Sequence, residues 1–519
     1  MSRPRSRVPL LAGVLAVATL LFAGCSAAST AESGAAGDTF VVATSGEPDT
    51  LNPVLGYGSD GASLIFDGLV ARDGNNALVP ALAAELPRVD GTTVTATLRS
   101  GVSFHDGTAL TARDVVFTYE SVLDPTVDST LRSDLDMLTK VEAPDASTVV
   151  FTLKYPYAPF LQRLTLGIVP AKALTGQDIN KAAFNQRPIG TGPYRVTSWT
   201  PGDRLQLAAN DAYWGGKPAN RGVVVAFVPD DNVRAQRARA GEFDAVELAP
   251  KQAAGFAKTV KVPTADYRGV MLPMKNPVTG DLAVRRALNA GVDRAAMVAG
   301  VLAGAGEPAY GPIPPTSEYA VTQDPAATPA ATILDEAGWV AGADGIRAKG
   351  GQRAAFTLMY PATDSLRKEL ALAVTADAKK IGIDVRPEGL TWDAITPRMT
   401  SDALIMGFGT PYDPDFVSFK LFRSHFAEQG FFNPGSYTSA VTDKALQDGR
   451  DQAAIEDRKA AYATFQKQLA ADVPWVFLTY LQHTYVVGDD VAGVTPRVEP
   501  HEHDVANSLW WNINTWTRT

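Results

Sequence analysis

Cysteine is almost absent from this chain, since Cys25 is the only one among 519 residues. A single cysteine forms no disulfide within the chain and no cluster of thiolate metal ligands. A chain without disulfides must obtain its stability from burial of apolar surface. Hydrophobic residues make up 45% of the sequence, which is enough for a sizeable core.

Long hydrophobic runs are also scarce, and the one at the N-terminus is short. Residues 8–22 are apolar, follow Arg3, Arg5 and Arg7, and lead into small residues. A membrane-spanning helix needs about 20 apolar residues. The pattern therefore predicts a secretory signal over residues 1–24 that is removed on export.

Cys25 follows "FAG" directly and resembles the lipobox cysteine of bacterial lipoproteins, although Phe22 stands where leucine is usual. The resemblance implies that Cys25 is lipid-modified and becomes the first mature residue. Residues 25–38 are poor in large apolar side chains and are expected to form a flexible tether. The alternative is a chance cysteine within an ordinary secretory signal.

Positive charge is not in excess, because 47 Lys and Arg face 56 Asp and Glu and the formal net charge is −9. Three of the arginines lie in the predicted signal, so the exported part is more acidic still. This charge disfavours nucleic-acid binding.

Catalytic motifs are scarce as well. The sequence has no G-x-S-x-G, no H-E-x-x-H and no P-loop. One S-x-x-K runs from Ser365 to Lys368, but the S-D-N and K-T-G segments of penicillin-recognising enzymes do not accompany it. Lys368 is predicted on the solvent face of a helix. An exported serine hydrolase is therefore the rival hypothesis, and a protein that binds without catalysis is favoured.

Short strands alternate with helices, which predicts an α/β fold. Residues 39–44 read as a buried strand. Thr111 and Asp114 form a T-x-x-D capping box at the start of a helix. Residues 194–210 predict a hairpin that turns at "PGD". No fixed-period repeat is present, which argues against a solenoid.

The second half predicts longer helices and a parallel sheet. Asp281 and Asp293 are candidate N-caps. A βαβ pattern follows over residues 354–408, and a helix over 455–471 precedes another strand. The last forty residues are expected to be strand-rich again. About 500 residues exceed what one core supports, so two or more lobes are expected.

The stretch "GTPYDPDF", residues 409–416, begins just past the carboxyl end of a predicted strand. Ligands of open α/β sheets bind at such ends. Asp413-Pro414-Asp415 is also ordinary turn material, in which a side chain bonds its own backbone. Taken alone, the local chemistry favours the turn, and the position after the strand favours a ligand-binding loop.

Three blocks in order resemble one family, the extracytoplasmic solute-binding proteins of peptide and nickel ABC importers. They are "LRSGVSFHDGTALTARDVVFTYESVLDP", "PIGTGPYRVTSWTPGDRLQLAANDAYWGGKP" and "AVRRALNAGVDRAAMVAGVLAGAGEPAYGPIPP". The resemblance implies a two-lobe, periplasmic-binding-protein-like (type II) α/β fold with two hinge crossovers. Lobe I is expected over residues 39–268 with an extra subdomain over about 56–190, lobe II over 269–478, and a return to lobe I over 479–519.

The resemblance also implies a function. The protein is expected to be a monomeric substrate-binding lipoprotein on the outer face of the cell membrane. It would capture a small solute, foremost a short peptide, by hinge closure and deliver it to an ABC permease. No cofactor and no enzymatic activity are expected.

The resemblance places the loop at residues 409–416 in the ligand cleft. Phe408 and Tyr57 are expected to stack on the ligand, and Thr410, Tyr412 and Asp413 to hydrogen-bond it. Peptide-binding members carry an aspartate near the start of this loop that pairs with the α-amino group of the ligand. Thr410 occupies that position here and cannot neutralise an ammonium.

The nickel branch of the family offers an alternative ligand, a metal chelate. His425 lies near the position at which that branch carries a histidine metal ligand, and imidazole suits nickel. Ile168 stands near the place of an arginine that contacts the chelate there. Taken alone, His425 is expected to be an exposed loop residue. His501 and His503 in "HEHD" are likewise expected in a solvated loop, and His105 and Asp106 in "FHDG" are expected to be structural.

Overall fold

The computed structural model describes residues 38–322, 328–427, 430–501 and 508–519. In these ranges the strands of the first half of the chain are short. The two longest strands have thirteen residues each. The strands of the described ranges are β1 Thr39–Thr44, β2 Val70–Arg72, β3 Leu78–Pro80, β4 Arg88–Asp90, β5 Thr93–Thr97, β6 Leu138–Glu142, β7 Thr148–Leu153, β8 Tyr194–Thr200, β9 Arg204–Ala209, β10 Gly222–Phe227, β11 Ala245–Leu248, β12 Thr259–Met271, β13 Gly306–Pro308, β14 Val340–Ala341, β15 Arg347–Lys349, β16 Gln352–Arg353, β17 Ala355–Pro361, β18 Asp384–Leu390, β19 Ala403–Phe408, β20 Trp475–Val487, β21 Val491–Ala492 and β22 Thr517–Arg518.

The longer helices lie in the second half of the chain, with one long exception in the first. The α-helices of the described ranges are α1 Ala112–Leu123, α2 Phe160–Arg163, α3 Ala171–Leu174, α4 Asp231–Arg239, α5 Pro250–Ala253, α6 Leu282–Gly291, α7 Arg294–Gly300, α8 Ala330–Glu336, α9 Ser365–Lys380, α10 Trp392–Ile395, α11 Asp415–Phe422, α12 Ala440–Asp451 and α13 Ile455–Asp472. Short 3-10 helices include Pro53–Leu55, Ser424–Phe426 and Leu509–Thr515.

One large sheet runs through the molecule in the order β18-β17-β19-β12-β20-β11-β1-β10-β9-β8, and β13 pairs with β20 beside this path. The parallel pairs lie on both flanks: β1 with β10 and β11, and β17 with β18 and β19. The long strands β12 and β20 lie antiparallel between them. They are the two crossovers, because β20 pairs with β11 at one end while β12 pairs with β19 at the other.

The buried apolar residues form separate clusters on the two sides of these crossovers. The largest cluster is built mainly from residues 40–227 and the C-terminal residues Leu509, Trp510, Ile513 and Trp516, and it also includes Ala245, Val262, Tyr485, Val487 and Val491. Two further clusters are built from residues between 267 and 480. A separate four-stranded sheet of β4, β5, β7 and β6 lies on the side of the largest cluster. The helix α1 contacts β6 and β7 of this sheet.

Local sequence signals set several of these elements. Asp114 accepts hydrogen bonds from the backbone N–H (2.9 Å) and hydroxyl (2.8 Å) of Thr111, as the capping box predicts. Asp281 caps α6 through Ala283 N–H, and Asp293 caps α7 through Ala296 N–H. The predicted hairpin is β8–β9.

A helix begins at Trp392 but lasts only the single turn α10 before the 3-10 turn Thr396–Arg398, because Pro397 lacks the N–H that a longer helix needs. One element prediction was wrong. The last residues pack on the first core, but in the described ranges 488–501 and 508–519 their only strands are the two-residue β21 and β22. None of the helices in the part of the chain described is long and apolar enough to cross a membrane.

Candidate functional site

A cavity of about 370 Å³ opens beside the crossover strands. Ligand pockets commonly enclose about 300–1,000 Å³. One wall follows the carboxyl ends of β1, β10 and β11, and the opposite wall follows those of β17 and β18. The floor is formed by the crossovers, with Asp266 and Arg268 from β12 and residues 481–484 from β20. Both sides of the sheet therefore contribute to one site.

The crossover β12 is irregular at this point, because its register against β20 shifts between Pro263 and Tyr267. The C-terminal segment fills the irregularity. Ala265 N–H donates to Glu499 C=O (2.8 Å), and Glu499 N–H donates to Pro263 C=O (3.0 Å). The side chain of Asp266 is turned toward the cavity as a result. Bulges of this kind often re-aim a side chain next to a functional site.

His483 on β20 bridges two buried carboxylates. Its Nε2 lies 3.2 Å from Asp266 Oδ2, and its Nδ1 lies 2.7 Å from Glu499 Oε2. Tyr485 donates its hydroxyl to the same Glu499 oxygen (2.7 Å). Burial alone would lower the pKa of His483, but Glu247, Asp266 and Glu499 together raise that pKa well above its ordinary value.

His501 is not the solvated loop residue that its sequence context suggested. Its side chain is 12% exposed, and Nδ1 lies 3.0 Å from Asp266 Oδ1. Burial lowers the pKa of His501. The prediction failed because the acidic partner lies more than two hundred residues away in the chain. His503 lies outside the described residues.

Arg268 gives Asp266 a third partner on the cavity floor. Burial by itself would raise the pKa of Asp266, but Arg268, His501 and His483 hold that pKa well below its ordinary value. Arg367 on α9 lines the same cavity and pairs with Asp364. The cavity is therefore walled by buried charges of both signs.

The loop at residues 409–416 adjoins this cavity. Gly409 accepts a hydrogen bond from His501 N–H (2.9 Å). Its φ is +145°, and a Cβ there would approach Ala265 C=O to 1.9 Å. Glycine is therefore needed both for the backbone conformation and for the contact with the crossover.

Two buried ion pairs hold the rest of the loop. Both Asp413 oxygens accept from Arg458 Nη2, at 2.8 and 2.7 Å. Asp415 accepts from Arg450 through Nε (3.0 Å) and Nη2 (3.1 Å). The predicted turn is also present, because Asp415 N–H donates to Asp413 Oδ1 (3.0 Å).

The other residues predicted to contact the ligand are Phe408, Thr410, Tyr412 and Tyr57, and they have different neighbours. Phe408 ends β19 and packs against the rings of Trp475 and His501. Thr410 accepts from Tyr412 N–H (3.2 Å), and Tyr412 lies half-buried in the loop. Tyr57 is 3% exposed and packs edge-on against Phe66. Their contact with a ligand stays a prediction.

The remaining candidates lie apart from the cavity or outside the described residues. His425 is exposed in a 3-10 turn, with its ring 5.0 Å from that of Phe426. No group of three His, Cys, Asp or Glu among the described residues is placed to hold a metal ion. Cys25 lies outside the described residues. Lys368 is exposed, as predicted, and Ser365 donates its hydroxyl to Asp231 (2.6 Å).

His105 and Asp106 have structural roles, as expected from the turn. His105 Nδ1 accepts from Gly190 N–H (3.2 Å), so its Nε2–H donates to Gly192 C=O (3.0 Å). Asp106 accepts from the N–H and the hydroxyl of Thr108.

Several contacts join the two sides of the cleft. Tyr157, which follows β7, donates its hydroxyl to Asp415 (2.6 Å). Lys420 on α11 pairs with Asp134 (2.5 Å). On the cavity side, Lys251 pairs with Glu369. The structure therefore shows the two sides in contact around the site.

Sequence reasoning missed Asp266, His483, Glu499 and the arginines that pair with the loop. One signal was present: Asp266, Arg268 and His483 are charged or titratable residues within long strands that are mostly buried. A buried strand that carries such residues needs partners for them. The sequence alone does not identify those partners.

Comparison with known proteins agrees with this architecture. The profile of the bacterial extracellular solute-binding proteins, family 5, matches residues 77–429. Protein XP55 of Streptomyces lividans is 48% identical over 93% of this chain and 92% of its own length. The oligopeptide-binding protein AppA of Bacillus subtilis is 30% identical over 98% of this chain and 99% of its own.

Solved structures of other proteins have the same fold. NikZ from Campylobacter jejuni, in complex with Ni(L-His), superposes with a TM-score of 0.85 at 29% identity over 93% of this chain and 99% of that chain. AppA from Bacillus subtilis in complex with a nonapeptide superposes with a TM-score of 0.80 at the same identity.

This chain belongs to the bacterial extracellular solute-binding proteins, family 5. Its fold is the two-lobe type II fold of that family, as the resemblance implied. Proteins of this family are extracytoplasmic solute-binding components of ABC importers.

Proposed function

We propose that this protein is the substrate-binding lipoprotein of an ABC importer that captures a short peptide between its lobes and delivers it to a membrane permease. One observation carries the proposal: a cavity at the carboxyl ends of parallel strands from both lobes, floored by two crossover strands. Bending of the crossovers would open the cleft, which is a recognised mode of domain motion. AppA supports a peptide as the ligand.

The lobe boundaries at residues 268/269 and 478/479 are part of this proposal. The separate apolar clusters on either side of β12 and β20 support them. Phe408, Thr410, Tyr412 and the buried Tyr57 are proposed ligand contacts. Because Arg458 engages both oxygens of Asp413, we assign this carboxylate to positioning the loop.

Thermal-shift screening of the purified chain against di- to pentapeptides tests the peptide role. A ligand that binds only the folded state stabilises it by about 2.7 kcal/mol at a hundredfold excess over its dissociation constant. Calorimetry on T410A and Y412F should then show weaker binding of the peptide that gives the largest shift. Lys368→Ala, at an exposed position, is the matched control. Absence of any peptide-dependent shift would contradict the peptide role.

A nickel chelate is the second candidate ligand. The likeness to NikZ in complex with Ni(L-His) supports it, and the exposed His425 is a residue that could supply an imidazole. Nickel with histidine, compared with nickel alone and histidine alone, should then raise the melting temperature. His425→Ala should remove that increase, and an unchanged increase would exclude His425 as a ligand.

Lipid attachment at Cys25 is proposed from the sequence. In wild-type cells the protein should sediment with membranes, because a diacyl anchor binds stably to a bilayer. Cys25→Ser should release it into the soluble extracytoplasmic fraction. Membrane association that survives the substitution would contradict the anchor.

A further inference from the structure

Four carboxylates line the cavity beside the crossover strands, and three of them have an arginine partner. The pairs are Asp231 with Arg234, Asp266 with Arg268, and Asp364 with Arg367. The fourth carboxylate belongs to Glu247 on β11. In the part of the chain that the structure describes, this carboxylate makes no hydrogen bond and no ion pair within 4 Å. The cavity wall therefore contains one carboxylate that is available to a ligand.

His483 is a cationic neighbour of Glu247, but it is already fully engaged. Burial lowers the pKa of His483, and the charge of Glu247 is the largest of the effects that raise that pKa. Both ring nitrogens of His483 face other carboxylates, Asp266 at 3.2 Å and Glu499 at 2.7 Å. No N–H of the ring is left for Glu247. The pKa of the nearby His501 is lowered by burial, so His501 adds no positive charge at neutral pH.

The backbone of Glu247 is fixed by the middle of the large sheet. β11 lies between β1 and β20, and Glu247 lies directly opposite Tyr485 in the register. Residues that are directly opposite each other in an antiparallel pair point to the same face. The backbone C=O of Glu247 also accepts a hydrogen bond from Arg234 Nε (2.9 Å). A side chain on such a strand is positioned more precisely than one on a loop.

We propose that Glu247 binds a cationic group of the transported solute, an ammonium or a guanidinium. The inference rests on the proposed transport function and names the chemistry of one group of its ligand. Hydrogen bonds between a cation and a carboxylate are about twice as strong as neutral ones. Closure of the cleft would remove water from the partly buried Glu247, and loss of hydration is costly for an ionised group without a partner. A ligand that supplies the cation compensates for that loss.

The carboxylates of the loop at residues 409–416 are already neutralised. Arg458 pairs with Asp413, and Arg450 pairs with Asp415. Thr410 offers only a neutral oxygen to a ligand. A cationic group that enters the cleft is therefore attracted to the cavity wall at β11 more strongly than to this loop.

The first test needs no peptide. The probe is n-butylammonium chloride, which presents a single ammonium group, and NaCl at the same concentration is the reference salt. The melting temperature of the wild type should be higher in the ammonium salt, because a ligand that binds only the folded state stabilises it. Glu247→Gln keeps the shape of the side chain but removes its charge, and should abolish the difference between the two salts. Glu247→Ala should do the same.

Glu120→Gln is the matched control, because it makes the same chemical change on the exposed side of α1. This variant should keep the difference between the two salts. No difference in the wild type, or a difference that persists in both Glu247 variants, would overturn the proposal.

The second test identifies the group of a peptide that supplies the cation. Calorimetry compares trialanine, which has a terminal ammonium, with N-acetyl-trialanine, which has none, and with N-acetyl-alanyl-lysyl-alanine, which has a side-chain ammonium. The peptide that carries the recognised ammonium should bind about tenfold more tightly than N-acetyl-trialanine, and E247Q should remove that preference. Each comparison is made within one variant, so a change in the stability of the variant itself cancels. Equal binding of all three peptides, or a preference that survives E247Q, would overturn the cation site while leaving the transport function in place.

Failure of the peptide role gives a different result. If none of the three peptides binds the wild type, the comparison of n-butylammonium with NaCl decides the cation site by itself. The peptide role is decided separately by the thermal-shift screen of di- to pentapeptides.

Discussion

The imidazole of His483 shows how one residue connects the hinge to the site. Each of its ring nitrogens faces a carboxylate oxygen, one from β12 and one from the C-terminal segment. A neutral imidazole has only one N–H, so with both carboxylates ionised both contacts are hydrogen bonds only when the ring is protonated. His483 is therefore a buried cation that holds Asp266 and Glu499 together.

This protonation predicts a pH dependence of stability. The pKa of His483 is well above its value of about 6.5 in the unfolded chain. The stabilisation is therefore fully present below pH about 6.5 and is lost as the pH rises through the folded-state pKa. The free energy of unfolding, measured in urea at several pH values above about 6.5, should decline with increasing pH more steeply for the wild type than for H483Q.

His425→Gln is the control for this experiment, because it removes an exposed histidine. Its pH profile should follow that of the wild type. Parallel profiles for the wild type and H483Q would contradict the protonated bridge.

Gly409 gives a second prediction at the scale of one residue. In G409A the new Cβ would meet Ala265 C=O at 1.9 Å, and the φ of +145° is strained for alanine. A loss of about 1–3 kcal/mol in the free energy of unfolding is expected. Gly300 ends α7 with open space around it, so G300A should be neutral or stabilising. Equal effects of the two substitutions would show that the contact with the crossover is unimportant.

At the scale of elements, α12 and α13 fix the loop that adjoins the cleft. Each helix sends one arginine to one loop carboxylate: Arg450 to Asp415 and Arg458 to Asp413. These helices also pack on each other closely, with Gly449 against the ring of Tyr462. The loop therefore takes its conformation from the helices behind it as well as from its own turn.

Removing one partner of these buried ion pairs should lower the free energy of unfolding. R458M leaves Asp413 buried beside an apolar side chain, and removal of one partner of a buried ion pair costs about 3–5 kcal/mol. The double variant D413N/R458M removes both charges and should recover part of the loss. Urea denaturation measures both. If R458M were as stable as the wild type, the pair would not anchor the loop.

At the scale of the whole molecule, side-chain contacts join the two sides of the cleft. Tyr157 donates to Asp415 across the cleft, and Lys420 pairs with Asp134 nearby. Opening of the cleft, as proposed, would break these contacts, so they would contribute to ligand affinity through the closure equilibrium without touching the ligand.

Tyr157→Phe tests this coupling. Loss of one hydrogen bond worth about 1 kcal/mol should weaken binding about fivefold for the peptide selected by thermal shift. Tyr437→Phe is the matched control, because its hydroxyl donates to Asp472 within the second lobe (2.6 Å) and should alter stability without altering affinity. Unchanged affinity in Y157F would show that the cross-cleft contact is not coupled to binding.

The sequence predicted those parts of the fold that local chemistry decides. The capping box at Thr111, the N-caps at Asp281 and Asp293, and the β8–β9 hairpin depend on residues within a few positions of each other. The βαβ pattern over residues 354–408 likewise follows from periodicity. The prediction that His501 lies in a solvated loop was wrong, because its partner Asp266 is distant in the sequence and becomes its neighbour only after folding.

The amino-acid sequence by itself determined the strands, the main helices and the family to which this chain belongs, because hydrophobic period, caps and turns are local properties. Only the tertiary structure decided which charges meet: His483 with Asp266 and Glu499, Arg458 with Asp413, and Arg72 with the face of Tyr412. A buried charge requires compensation, but the residue that provides it is selected by packing between segments far apart in the chain.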